Sequence, residues 1–214
     1  AFIKSTESLA FADTMIHMGL EPFEMHTKPN GYASTNNGFS LTPNVTHAKS
    51  QGTVRLQSND PNAPPSIDCQ YYCDPDGYDL KTMIQGIRSA RELAKQPALA
   101  AWIERELCPG IEVIDDASLA DYLKHTSNTV YHPAGTCKMG SERDRLAVVN
   151  ADFKIYGVEG LRVTDASVFP HMIGVNPNLT IMMLAERCAR LVIQEAHRHQ
   201  AETAQRPELS ISLS

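Results

Sequence analysis

The sequence contains no apolar run approaching the roughly 20 residues that span a bilayer, so no membrane helix is expected. Its opening, AFIKSTESLAFADTM, is interrupted by charged and polar residues and lacks the apolar centre of a secretory signal. Clusters of Lys and Arg are missing too, and the net charge is -6. Nucleic acid and anionic membranes are bound through such clusters, so no nucleic-acid partner is expected. There is no Cys-x-x-Cys pair, and the five cysteines, Cys69, Cys73, Cys108, Cys137 and Cys188, are odd in number. That pattern favours neither a disulfide framework nor a zinc site, and no metal ligands are assigned. The thiols read as reduced and mostly buried, with the cytoplasm as the default compartment. Internal repeats and low-complexity tracts are absent as well.

What is present is an ordinary globular mixture, 42% hydrophobic and 21% charged, in 214 residues, enough for one domain or two small ones. TMIHMGL, Thr14 to Leu20, reads as a strand with His17 in its middle. GFSLTPNVTHA and GTVRLQS follow and suggest a hairpin in an antiparallel sheet, with a further short strand from Ile67 to Tyr72. After Gly77 the period changes to that of a helix: Leu80, Met83, Ile84, Ile87, Ala90 and Leu93 share one face, and Lys81, Arg88, Arg91 and Glu92 lie largely outside it. PALAAWIERE predicts a second, short helix and DDASLADYLKHT a third, with acidic residues at its positive end. NADFKIYGVEGLRVTDASVF holds two strand-like runs around a glycine turn, the second ending at Asp165. A long helix is expected behind Pro177, with Asn176 in the capping position and a polar tail from Gln200.

The stretch TVYHPAGTCKMG, Thr129 to Gly140, crowds a histidine, a proline, two glycines and a cysteine together without any amphipathic period. His132, held extended by the proline after it, is either a loop hydrogen-bonder or a general base. Gly135 would permit a ligand to approach the backbone. Asn176 is either a plain helix cap or part of an anion-stabilising helix start. Asp165 is either a turn residue or a contact to a ligand hydroxyl. His17 and Phe23 have ordinary readings as core residues. A Cys137/His132 nucleophile pair is disfavoured, because nearness in sequence is not the spatial arrangement a thiolate needs.

Taken together, YHPAGTCKMG, LRVTDASVFP and GVNPNLTIMMLAERCARLV closely resemble, in order and spacing, the C-terminal signature of the glucose-methanol-choline (GMC) family of FAD-dependent oxidoreductases. NGYASTNNGFSLTPNVTHAKSQGTVRLQS and MIQGIRSARELAKQPALAAWIERELCPGIEV resemble its choline-oxidising branch. The resemblance implies FAD as cofactor and oxidation of choline or a similar primary alcohol by hydride transfer. It implies that His132 assists removal of the hydroxyl proton, with Asn176 as the second member of the catalytic pair and His17 as a substrate-site histidine. Phe23 and Val130 would line the pocket. Tyr131, Asp165, Ala166, Asn176, Pro177 and Asn178 would contact the cofactor.

The family's GxGxxG fingerprint is absent from this sequence. The resemblance therefore implies the C-terminal part of a longer enzyme, separated by cleavage or by split-gene organisation and active only with an N-terminal FAD-binding portion. The expected fold is α+β: residues 1–130 as part of an antiparallel-sheet substrate domain with flanking helices, 131–199 as the closing strand and last helix of an FAD domain with the catalytic loop, and 200–214 as a flexible tail. The expected partners are that N-terminal portion, a small alcohol, and oxygen or a quinone as electron acceptor, in a homo-oligomer of the assembled unit. AGTCKMG reads more like the dehydrogenases of the family than its oxidases, which leaves the acceptor open. Two other readings keep the fold: a non-redox hydroxynitrile-lyase-type member, and an inert structural or binding module.

Overall fold

The computed structural model describes residues 1–204. The chain forms two compact units, one of Ala1–His132 with Met172–Val175 and one of Pro133–His171 with the chain from Asn176 onward. In the first, β1 (Phe2–Ile3), β2 (Thr14–Gly19) and β3 (Ser40–Val45) make an antiparallel sheet in that order, and β4 (Thr53–Arg55) pairs with β5 (Ser66–Asp68) in a second sheet. Helices α1 (Tyr78–Ala94), α2 (Pro97–Ala100) and α3 (Asp116–Thr126) follow. The second unit carries one long helix, α4 (Asn178–Ala204). This is the expected mixture of antiparallel sheet and helices.

Two of the helices are where periodicity places them. Ile84 and Ile87 of α1 are buried against Leu119 and Leu123 of α3, with Leu80, Met83 and Tyr122 around them. Burial of aliphatic side chains of this kind stabilises by roughly 2 kcal/mol each. Asp115 caps α3, accepting hydrogen bonds from the N–H groups of Ala117 and Ser118. Asp74 does the same for α1, accepting from Tyr78 and Asp79 N–H. The opposite side of α1 lies on the sheet, where Gly86 comes so close to β3 that a Cβ would stand 2.8 Å from Cβ of Pro43.

The expected hairpin between β3 and the following strand does not form. Lys49 and Ser50 donate their N–H groups to the Asp79 carboxylate, and the Ser50 hydroxyl accepts from Cys73 and Asp74 N–H. These bonds draw the connection to the start of α1, and β4 pairs with β5 instead. β5 is shorter than expected because Gln70 and Tyr72 have φ of 48° and 60°, which a pleated strand cannot continue through. α2 stops at Ala100, where bonds from Trp102 to Leu99 and from Ile103 to Ala100 tighten the turn. Glu106, expected in that helix, is taken instead by Arg91 at 2.8 Å.

In the second unit the two strand-like runs make only isolated bridges, Val149↔Ile155 and Lys154↔Arg162, since Phe153 turns the chain at φ 65°. Asp165 consequently opens a 3-10 turn, Ala166–Val168, rather than ending a strand. Val149 and Phe153 are fully buried, with Val168 and Phe169 nearly so. α4 is clamped to this segment by Glu195, whose carboxylate bonds both Lys154 and Arg162. The Pro177 carbonyl accepts from Ile181 N–H at 2.9 Å and the helix begins at Asn178, so Asn176 stands one residue outside the capping position expected for it. At its other end the helix runs past Gln200 to Ala204; the remainder of the expected tail lies outside the described residues. Among the described residues no helix is long and apolar enough to cross a membrane.

The cysteines are free, as read, but mostly not buried: only Cys188 is, whereas Cys69 and Cys73 are exposed and Cys108 and Cys137 lie between.

Candidate active site

The loop that presents His132 is built by its own side chains. Asn128 Oδ1 accepts from Thr129 N–H at 2.7 Å, and Thr129 Oγ1 accepts from Tyr131 N–H at 3.0 Å. Together they hold Tyr131 at φ 66°, a left-handed conformation uncommon for a large aromatic residue. Strain of this kind persists only where surrounding bonds over-determine it, and it gathers at functional sites. Beyond it comes half-buried His132, restricted to extended geometry by Pro133, while Val130 before it is also half-buried and Tyr131 is exposed.

Phe23 is tied to the same loop. Its N–H donates to Ser40 Oγ at 2.7 Å, at the end of the β2–β3 ladder where Gly19 faces Ser40. Its ring packs edge-on against His26, centroids 5.8 Å apart, and His26 Nδ1 lies 3.2 Å from the Asn128 amide nitrogen. Asn30 adds a second tie, donating to the carbonyls of His26 and His125. Phe23 and Val130 are thus held by one network. His17 stands in β2 opposite Thr42, two ladder positions from the Ser40 anchor, with its Nδ1 3.2 Å from the amide nitrogen of buried Asn44.

In the second unit the chain after His132 lies along the 3-10 turn. Gly135, Cys137 and Met139 donate their N–H groups to the carbonyls of Ala166, Ser167 and Val168 at 3.2, 2.9 and 2.9 Å. Gly135 has φ 85°, and a Cβ there would stand 3.3 Å from the Phe169 carbonyl, so the close pairing requires glycine. Asp165 Oδ1 accepts from Ser167 N–H at 2.8 Å and from the Ser167 hydroxyl. The hydroxyl bond, more than the backbone one, holds this carboxyl below the usual range, so it stays an ionised acceptor. Ala166 is half-buried beside it, and Asn176, buried Pro177 and Asn178 lead into α4.

The expected residues therefore form two groups: His17, Phe23, Val130, Tyr131 and His132 in the first unit, and Asp165, Ala166, Asn176, Pro177 and Asn178 in the second. Among the described residues no cluster of three His, Cys, Asp or Glu side chains could hold a metal. Sequence reading missed Asn128, His26 and Asn44. Asn128 and Asn44 gave no periodic signal, and His26 is joined to Asn128 only through a contact 102 residues long.

The chain is 50% identical over 213 residues to choline oxidase of Arthrobacter globiformis, covering 100% of this chain and 39% of that protein. It is 37% identical over 189 residues to oxygen-dependent choline dehydrogenase of Klebsiella pneumoniae subsp. pneumoniae, covering 88% of this chain and 33% of the relative. The chain thus spans well under half the length of either. Among solved structures, pyridoxine 4-oxidase from Mesorbium loti superposes with a TM-score of 0.79 at 26% identity, over 89% of this chain and 36% of that one. The family model described as GMC oxidoreductase matches residues 48–185, from just beyond β3 through the first turns of α4. The chain belongs to the GMC oxidoreductase family.

Proposed function

We propose that this chain is the C-terminal portion of a flavin-dependent alcohol oxidoreductase that oxidises choline or a similar primary alcohol, and that it works with an N-terminal FAD-binding portion. The observation that carries the reading is His132, set at the end of a strained, bonded turn in a chain 50% identical to a choline oxidase over 213 residues. Residues 1–130 contribute to the substrate domain and 131–199 close the FAD domain. Exposed Leu179, Met182 and Met183 near the start of α4 suit burial under the N-terminal portion. Assembly of the complete unit into a homo-oligomer belongs to the same reading.

The residues present fit a flavin in kind. Asp165 is an ionised acceptor suited to a hydroxyl, and the start of α4, the positive end of its dipole, suits an electron-rich ring edge. Asp165, Ala166, Tyr131 and Asn176 to Asn178 would hold it. Bound FAD supplies the two-electron acceptor for the hydride leaving the alcohol carbon. The chain's own part is to position the alcohol between Phe23 and Val130, to receive the hydroxyl proton on a ring nitrogen of His132, and to stabilise the oxygen with Asn176. The names of the two relatives, an oxidase and an oxygen-dependent dehydrogenase, favour oxygen over a quinone as final acceptor.

An anaerobic absorbance titration of the assembled enzyme with choline tests this. Bleaching of the oxidised flavin band is expected. An unchanged band, with choline shown to bind, would overturn the redox reading in favour of a lyase-type reaction.

A further inference from the structure

Strand alternation divides the β1–β2–β3 sheet into two faces. Thr14 and Pro43 meet Gly86 of α1, so Met15, His17, Thr42 and Asn44 lie on the face turned away from that helix. His17 is opposite Thr42 and Met15 opposite Asn44, which sets Asn44 diagonally across from His17. Asn44 is 6% exposed, so its amide relies on the protein for hydrogen-bond partners.

Three atoms surround the amide nitrogen: the Thr42 carbonyl at 2.9 Å, the Met15 carbonyl at 3.2 Å and His17 Nδ1 at 3.2 Å. Two of these are carbonyl oxygens with no proton to give, so the amide must turn its nitrogen towards them. Reversing it would set Oδ1 against both. A nitrogen in that orientation only donates. A proton on His17 Nδ1 would then face a donor-only nitrogen that cannot accept it, whereas a bare Nδ1 can share an amide proton with the carbonyls.

The geometry points to Asn44 as a positioning residue that fixes neutral His17 in its Nε2–H tautomer, so that the ring offers a permanent N–H donor rather than a base. The tautomer follows from β2 and β3 alone. Its use rests on the reading of His17 as a substrate-site residue: an Nε2–H suits the alcohol oxygen and leaves proton acceptance to His132.

A long-range proton–nitrogen correlation spectrum of the 15N-labelled chain, recorded where the imidazole is neutral and assigned with H17Q, reads the tautomer directly. The expected result is a proton on Nε2 in the native chain and a mixture of tautomers in Asn44→Leu. Asn44→Ser serves as the second variant if the leucine variant does not fold. A native spectrum with the proton on Nδ1, or with a mixture, overturns the assignment. So does a folded Asn44 variant with the native pattern. In the assembled enzyme, Asn44→Leu should lower kcat roughly tenfold, as loss of an orienting partner does to a histidine ligand, and should add nothing in an H17Q background. Full kcat alongside a lost tautomer preference would keep the assignment and remove His17 from the substrate chemistry.

Discussion

Gly174 lies against the edge of the His47 ring: a Cβ built on it would stand 2.6 Å from Nε2 and 3.0 Å from Cε1. The same ring packs on Phe11, centroids 4.6 Å apart. The contact holds the short 172–175 segment, which ends immediately before Asn176, within the first unit. Gly174→Ala should therefore cost about 1–3 kcal/mol through overpacking, measured by urea unfolding. In a His47→Ala background the ring is gone and the cost should vanish. Equal losses in both backgrounds would mean that the ring does not set the limit.

His132→Ala in the assembled enzyme should slow turnover roughly 10²- to 10⁴-fold, the span for a general acid–base residue, with flavin absorbance retained. A loss below tenfold would assign the proton to another group.

Acid stability should depend on Glu195. Arg162 first and Lys154 second hold its carboxyl down to about 2 from an ordinary value of 4.5. A carboxyl depressed by folding stabilises the native state above its unfolded value and loses that contribution as pH falls through the folded one. The difference in melting temperature between the native chain and Glu195→Gln should thus be present at neutral pH and shrink between pH 4.5 and about 2. A difference that stays constant across that window would show that the charge is not what clamps α4.

Arg91 is a clamp of a different kind. Its guanidinium grips both oxygens of Glu106 and the carbonyls of Gly110 and Val113, with the pair's side chains 16% and 22% exposed. Arg91→Met should cost about 2 kcal/mol or more, because Glu106 is left half-buried without its partner. Adding Glu106→Leu should recover part of the loss. Arg91→Lys should not, since an ammonium cannot reproduce the fork. Thermal unfolding of the three variants checks the order.

The parts of this molecule that could be read beforehand are those in which a residue's neighbours in sequence are also its neighbours in space. Leu80, Met83, Ile84 and Ile87 announce the buried face of α1, and the acidic pair Asp115 and Asp116 announces the start of α3, because both signals are complete within two turns. Arg91 falls outside that apolar face in sequence yet turns inward, since its stem is long enough to reach Glu106. Val54 alternates with its neighbours whether it pairs with β3 or β5, so pairing was decided by Asp79 capturing Lys49 and Ser50, a contact no local pattern encodes. His132, Asp165 and Asn176 stood out as members of a motif. Asn44 did not, because its meaning arises only when β3 is laid beside β2 and the amide meets a ring 27 residues away.

The closeness of Gly86 to Pro43 binds the two positions into one heritable trait. Glycine inside a helix costs about 1 kcal/mol relative to alanine, a loss that mutation could remove in a single step were the proline not there. Proline is tolerated at 43 because β3 is an outer strand of its sheet. A lineage that enlarges residue 86 first meets a clash at 2.8 Å, and one that first replaces the proline opens a gap beneath α1. Variation should therefore reach these sites in pairs, and a library that changes either alone will sample mostly losses.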